Sequence, residues 1–172
     1  MRLLGRPTRF WPAGRTDGVV PTPSDELSRR GILLPPAPKP AGSYAPVVVD
    51  GAVATVSGQI VTKDGQAVHP GAVDRDVDPA TARDLARLAT LQALAALAAA
   101  LGSVDRVRRV LRLAVYVASS PGFARQHEVA NGASELLIEV FGESGRPARV
   151  AIGVVALPLN APVQVELTVA VV

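Results

Sequence analysis

The chain contains no cysteine, which excludes disulfides, thiolate metal sites and cysteine nucleophiles. It has two histidines, His69 and His127, and their separation is nothing like ligand spacing, so no zinc centre or other metal site is expected. Aromatic residues are scarce. Three Phe, two Tyr and one Trp leave too few platforms for stacking the bases of a single strand. No apolar run reaches the roughly 18 residues of a membrane span, and the N-terminus lacks the apolar core of a signal peptide. These absences predict a soluble cytoplasmic protein with no membrane contact and no cofactor.

What is present is aliphatic. Apolar residues make up 48% of the 172 positions, enough for one well-buried domain and not comfortably for two. The sequence pI of 9.9 invites a nucleic-acid partner, but the charge is unevenly placed. Residues 1–31 hold six arginines against Asp17, Asp25 and Glu26, whereas from residue 32 onward twelve basic side chains meet twelve acidic ones. The excess sits in a tail and the body is balanced, so a nucleic-acid partner is not expected. Sixteen arginines against two lysines also point to a coding bias rather than to phosphate binding.

Residues 1–31 read as an N-terminal tail, partly disordered, and 32–172 as the folded domain. The tail mixes Pro, Gly and Arg without a period, and its acid-free start bears a weak likeness to an organelle transit peptide. "SDELSRRG" can form a helical turn or two, capped by Ser24 or Asp25 and stopped at Gly31. "LLPPAPKPAGSY" is extended and stiffened by its prolines. "APVVVDGAVATVSGQI" is two strands joined at Asp50-Gly51, a strong hairpin dipeptide. Residues 61–73 read as loop with a short edge strand. Asp78 caps a helix that Pro79 opens and Gly102 closes, and its leucines sweep a broad stripe suited to lying on a sheet. A strand follows across Val107–Val117, then a second helix from about Phe123 to Phe141, then two closing strands read as a hairpin. The order β-β-α-β-α-β-β predicts an α+β domain with two helices on one face of a sheet. Because several strands are apolar on both faces, a second subunit is expected to cover the other face.

The closing stretch "RPARVAIGVVALPLNAPVQVELTVAVV" carries three charges, Arg146, Arg149 and Glu166. With period two, Arg149 shares a face with Ala151 and Gly153, and Gln164 shares one with Glu166 about 7 Å away. Arg149 either pairs with Glu166, lies in solvent just before its strand, or binds a planar carboxylate through its bidentate fork. Other polar candidates are isolated. Gly58 and Gln59 end a strand, with Gly58 marking a bulge or a close backbone approach. Tyr44 precedes the first strand, as core packing or as a lid. Asn131-Gly132 falls inside a helix, where it is costly and needs compensation.

Taken together, "GSYAP" at 42–46, "SGQI" at 57–60, "GSVDRVRRVLRLAVYVAS", "NGASELL" at 131–137, "RPARV" at 146–150, "LP" at 157–158 and "VQVEL" at 163–167 resemble the reactive intermediate deaminase family, the RidA/YjgF group also called endoribonuclease L-PSP. The resemblance spans about Leu33 to Val172. It implies a chorismate-mutase-like fold, a homotrimer with clefts between subunits, and hydrolysis of 2-imino or enamine acids to 2-oxo acids and ammonia. It also implies that Arg149 clamps the substrate carboxylate, and that Tyr44, Gly58 and Asn131 line the cleft beside Gln59 and Glu166. One departure stands out. The glutamate expected to activate water falls at Gln164, and an amide orients water but cannot accept its proton. Val150 also follows "PAR" where a serine is usual. A slow deaminase, or a non-catalytic binder of small carboxylates, is therefore expected. RNA cleavage is the third alternative, disfavoured by the balanced body and the lack of a histidine pair.

Overall fold

The computed structural model describes residues 20–40 and 42–172. Most of the tail read from the sequence, including its transit-peptide likeness, lies outside those residues. In chain order the elements are α1 (Pro23–Arg29), β1 (Val47–Asp50), β2 (Val53–Gln59), β3 (Thr62–Lys63), β4 (Gln66–Ala67), α2 (Pro79–Leu101), β5 (Val107–Ala118), α3 (Gln126–Phe141), β6 (Ala148–Val154) and β7 (Val163–Val171). The α+β architecture read from the sequence is the one observed.

Local chemistry explains the boundaries. Thr22, rather than Ser24 or Asp25, caps α1, and Asp25 returns a bond to the Thr22 backbone in a capping box. Leu27 of this short helix is buried in the core, and the Ser24 amide donates to Asp105 at 2.8 Å. Asp78 accepts from the amides of Ala80 and Thr81, Pro79 opens α2, and Gly102 ends it in the left-handed region at φ 86°. By length and composition alone α2 is long and apolar enough to cross a membrane, with a mean hydropathy of 1.4 over its best window. Half of that window is buried in the protein, as befits a core helix. Its buried alanines 82, 86, 89, 93 and 96 recur at helical spacing, so the backbone can approach its neighbours closely.

The main sheet has the order β1-β2-β7-β5-β6. β5 and β6 are parallel and the other neighbours antiparallel. β3 and β4 form a separate two-stranded ribbon where one edge strand was expected. The closing hairpin is a misreading. β7 inserts between β2 and β5, while β6 is the edge strand beside β5, so β6 and β7 are not neighbours. The expected α3 also starts later, at Gln126.

Both long helices pack on one face of the sheet. The cross-strand row Arg149–Leu113–Leu167 belongs to that face, with Leu113 and Leu167 in the core. The next row, Val150–Ala114–Glu166, points the other way, as does Ile152–Tyr116–Gln164. Arg149 and Gln164 therefore lie on opposite faces of one sheet, which strand parity within a single strand could not reveal.

The Asn131-Gly132 pair is compensated by packing. A Cβ on Gly132 would sit 2.9 Å from the Arg83 carbonyl carbon and collide with its oxygen, so a helix-weakening glycine is what lets α3 touch the α2 backbone. Across the same contact Arg83 pairs with Glu135, and Arg87 with Glu139 at 2.7 Å.

Candidate functional site

Two places collect the polar residues singled out in the sequence. The first is the outer end of β6. Arg149 Nη1 donates to Asn131 Oδ1 at 2.8 Å and to Ser134 Oγ at 2.9 Å, both on α3. Asn131 and Ser134 are three residues apart and so share a helix face. Neither is an acid, and among the described residues no carboxylate pairs with Arg149. The ion pair between Arg149 and Glu166 is excluded, because Glu166 faces the other side of the sheet and accepts from Tyr116 Oη at 3.1 Å. Burial, then the adjacent Glu166 carboxylate, push the Tyr116 phenol above its ordinary value, so it stays a neutral donor.

The second place is a cavity of about 340 Å³ at the far end of β2, where Tyr44, Gly58, Gln59 and Gln164 meet. Ser57 organises it. Its amide donates to the Pro46 carbonyl at 2.9 Å and its hydroxyl to the Ala45 carbonyl at 2.7 Å, tying the Tyr44 segment to β2. The β2–β7 register shifts between Val56 and Gln59, and in that irregularity Gly58 lies against the Gln164 side chain. A Cβ on Gly58 would be 2.6 Å from Gln164 Cδ. Gln59 is buried, with its amide donating to the Ser57 carbonyl at 2.8 Å. A larger groove of about 630 Å³ between α2 and α3 includes Asn131, but Arg83 and Arg87 there are already paired with glutamates.

A chain with these motifs on this sheet invites comparison with known proteins. The family model described as "YjgF/chorismate_mutase-like, putative endoribonuclease" matches residues 25–171. The chain belongs to the YjgF family. Protein TCP17 of Trypanosoma cruzi is 44% identical over 141 residues, covering 81% of this chain and 88% of that protein. Among solved YjgF-like structures, protein Atu1372 of Agrobacterium tumefaciens, of unknown function, is 39% identical at a TM-score of 0.78, covering 88% of this chain and 94% of its own. A putative endoribonuclease from Shewanella oneidensis MR-1 is 31% identical at a TM-score of 0.82, covering 87% of this chain and 99% of its own.

Within this YjgF-family fold the expected site residues divide. Tyr44, Gly58, Gln59 and Gln164 come together, and Asn131 joins Arg149 elsewhere. Glu166 belongs to neither group and is engaged by Tyr116. Sequence reasoning missed Ser134, although its three-residue spacing from Asn131 was legible. It also missed Tyr116, whose position opposite Gln164 depends on strand order. His69 and His127 are both exposed.

Proposed function

We propose that the chain is a deaminase that hydrolyses reactive 2-imino and enamine acids in clefts completed by a neighbouring copy of itself, within a cytoplasmic homotrimer. The observation that carries this reading is the state of Arg149. It is oriented by a neutral amide and a hydroxyl, so its charge is positioned without being neutralised, as a carboxylate clamp requires. Arg149 and the Gln164 cavity occupy opposite faces of one sheet, so a cleft using both needs a second copy. The face opposite the helices, carrying Ile152, Val150 and the half-buried Tyr116, is the surface on which copies would meet.

In such a cleft Arg149 holds the 2-carboxylate of the imino acid and the Gln164 amide orients water toward the imine carbon. Water adds across C=N, the nitrogen takes up the protons and leaves as ammonia, and a 2-oxo acid remains. Orientation and electrostatics drive the step, since the amide at position 164 cannot act as a base. A general base contributes about 10²–10⁴-fold, so Gln164→Glu is expected to raise the rate.

The test is the decay of freshly generated 2-iminopropionate with wild type, Arg149→Ala and Gln164→Glu, beside a control without protein. Acceleration that disappears in Arg149→Ala supports the reading. The amide at 164 favours a second reading, a non-catalytic module for small carboxylates. No acceleration by wild type or by Gln164→Glu, with carboxylate binding retained, would select it. RNA cleavage, suggested by the family description and the name of the Shewanella protein, finds no histidine and one cation among the described residues lining the Gln164 cavity.

A further inference from the structure

Around the Gln164 cavity the described lining has one charged side chain, Lys39, and no carboxylate. Pro38, Pro40, Pro46 and Pro158 supply much of the wall. Lys39 and Pro40 are exposed, so the cavity is open to water and a charge–charge contact there is screened. Among the described residues Lys39 makes no ion pair, although many of the chain's arginines are paired with acids. Pro38 and Pro40 flank it and fix the backbone on both sides, so little main-chain freedom is lost when the ammonium engages a ligand.

Residue type adds to this. Positive charge in this chain is carried by sixteen arginines and two lysines. Both lysines belong to this end of the molecule: Lys39 lines the cavity, and Lys63 follows Thr62, which also lines it. An ammonium on a flexible stem meets a carboxylate as a point charge from any direction, whereas a guanidinium demands a coplanar fork. Arg149 suits the planar carboxylate next to the reacting carbon, and Lys39 suits one at the mobile far end.

We infer that the cavity holds the distal carboxylate of a dicarboxylic 2-imino acid, such as 2-iminosuccinate or 2-iminoglutarate, with Lys39 as its cation. The inference rests on the deaminase reading for the reacting end of the ligand. It adds the substrate class, and the hydrolysis is the one already balanced above.

The experiment has two arms. In the first, 2-iminosuccinate and 2-iminopropionate are generated in place by oxidising aspartate and alanine, and their decay is followed with wild type, Lys39→Ala, Lys39→Arg and Lys63→Ala. In the second, calorimetry compares succinate with propionate on the same proteins. One solvent-exposed ion pair predicts a dicarboxylate preference of about 2- to 5-fold. That preference should collapse toward parity in Lys39→Ala, return at least in part in Lys39→Arg, and persist in Lys63→Ala. Equal handling of mono- and dicarboxylates, or a preference that survives Lys39→Ala, overturns the inference while leaving deamination standing. If neither imine is accelerated but succinate binds in a Lys39-dependent way, the deaminase reading falls and the anion pocket stands. Absence of both sinks both.

Discussion

Two glycines, each crowded by a neighbour, should respond differently to alanine. At Gly58 the three nearest atoms to a new Cβ all belong to the Gln164 side chain, with Cδ at 2.6 Å and Cγ at 3.1 Å. That side chain can swing aside, at about 0.5–1.5 kcal/mol if it leaves its rotamer well. Alanine in a strand recovers roughly 0.5–1 kcal/mol over glycine. The net change in stability is near zero, so the melting temperature should move by no more than about 2–4 °C. The Gln164 amide, however, must leave its place, and misplacing a positioning group by ~1 Å costs about 100-fold in rate. At Gly132 the obstacle is the Arg83 backbone, which has nowhere to turn. The helix gains ~1 kcal/mol from alanine, but overpacking against backbone costs up to ~3 kcal/mol or more. A net loss of about 2 kcal/mol lowers the melting temperature by roughly 4–8 °C. Thermal melts, with 2-iminopropionate turnover or carboxylate affinity beside them, separate the two. Gly58→Ala melting as low as Gly132→Ala, or keeping wild-type activity, would refute the assignment of Gly58 to the site. The double variant Gly132→Ala, Arg83→Ala should remain destabilised, because truncating Arg83 leaves its carbonyl in place.

The remaining predictions concern titrating groups. Arg87 hydrogen-bonds the Glu139 carboxyl and holds it below its ordinary value of 4.5. A depressed folded-state value means the contribution is present above the unfolded value and is lost as pH falls through the folded one. Glu139→Gln should therefore flatten the decline of melting temperature between about pH 5 and pH 3; an unchanged slope would count against the pair. In an ultraviolet titration one of the two tyrosines should ionise above the ordinary value of about 10. That transition should vanish in Tyr116→Phe and move down in Glu166→Gln, and an unmoved transition in Glu166→Gln would contradict the contact between them.

Much of the fold was legible because its elements are delimited locally. Asp78, Pro79 and Gly102 mark the bounds of α2 by groups within a few residues of each other, and Asp50-Gly51 does the same for the first hairpin. Periodicity assigned Gln164 and Glu166 to one face, because alternation is a property of a single strand. Strand order is different. β6 and β7 follow each other in sequence, yet β7 pairs with β5 and β2 through hydrogen bonds that no local pattern encodes. Once β7 takes the centre, Arg149 and Gln164 fall on opposite faces, Tyr116 comes opposite Gln164, and the Arg149–Glu166 pairing, one of the alternatives the sequence left open, becomes impossible. The sequence by itself thus determined the family, the elements and the candidate side chains, since those depend on residue type and short spacing. Which of those side chains meet was decided only in the tertiary structure, because contacts such as Gly58 on Gln164 and Asn131 on Arg149 join strands and helices far apart in the chain.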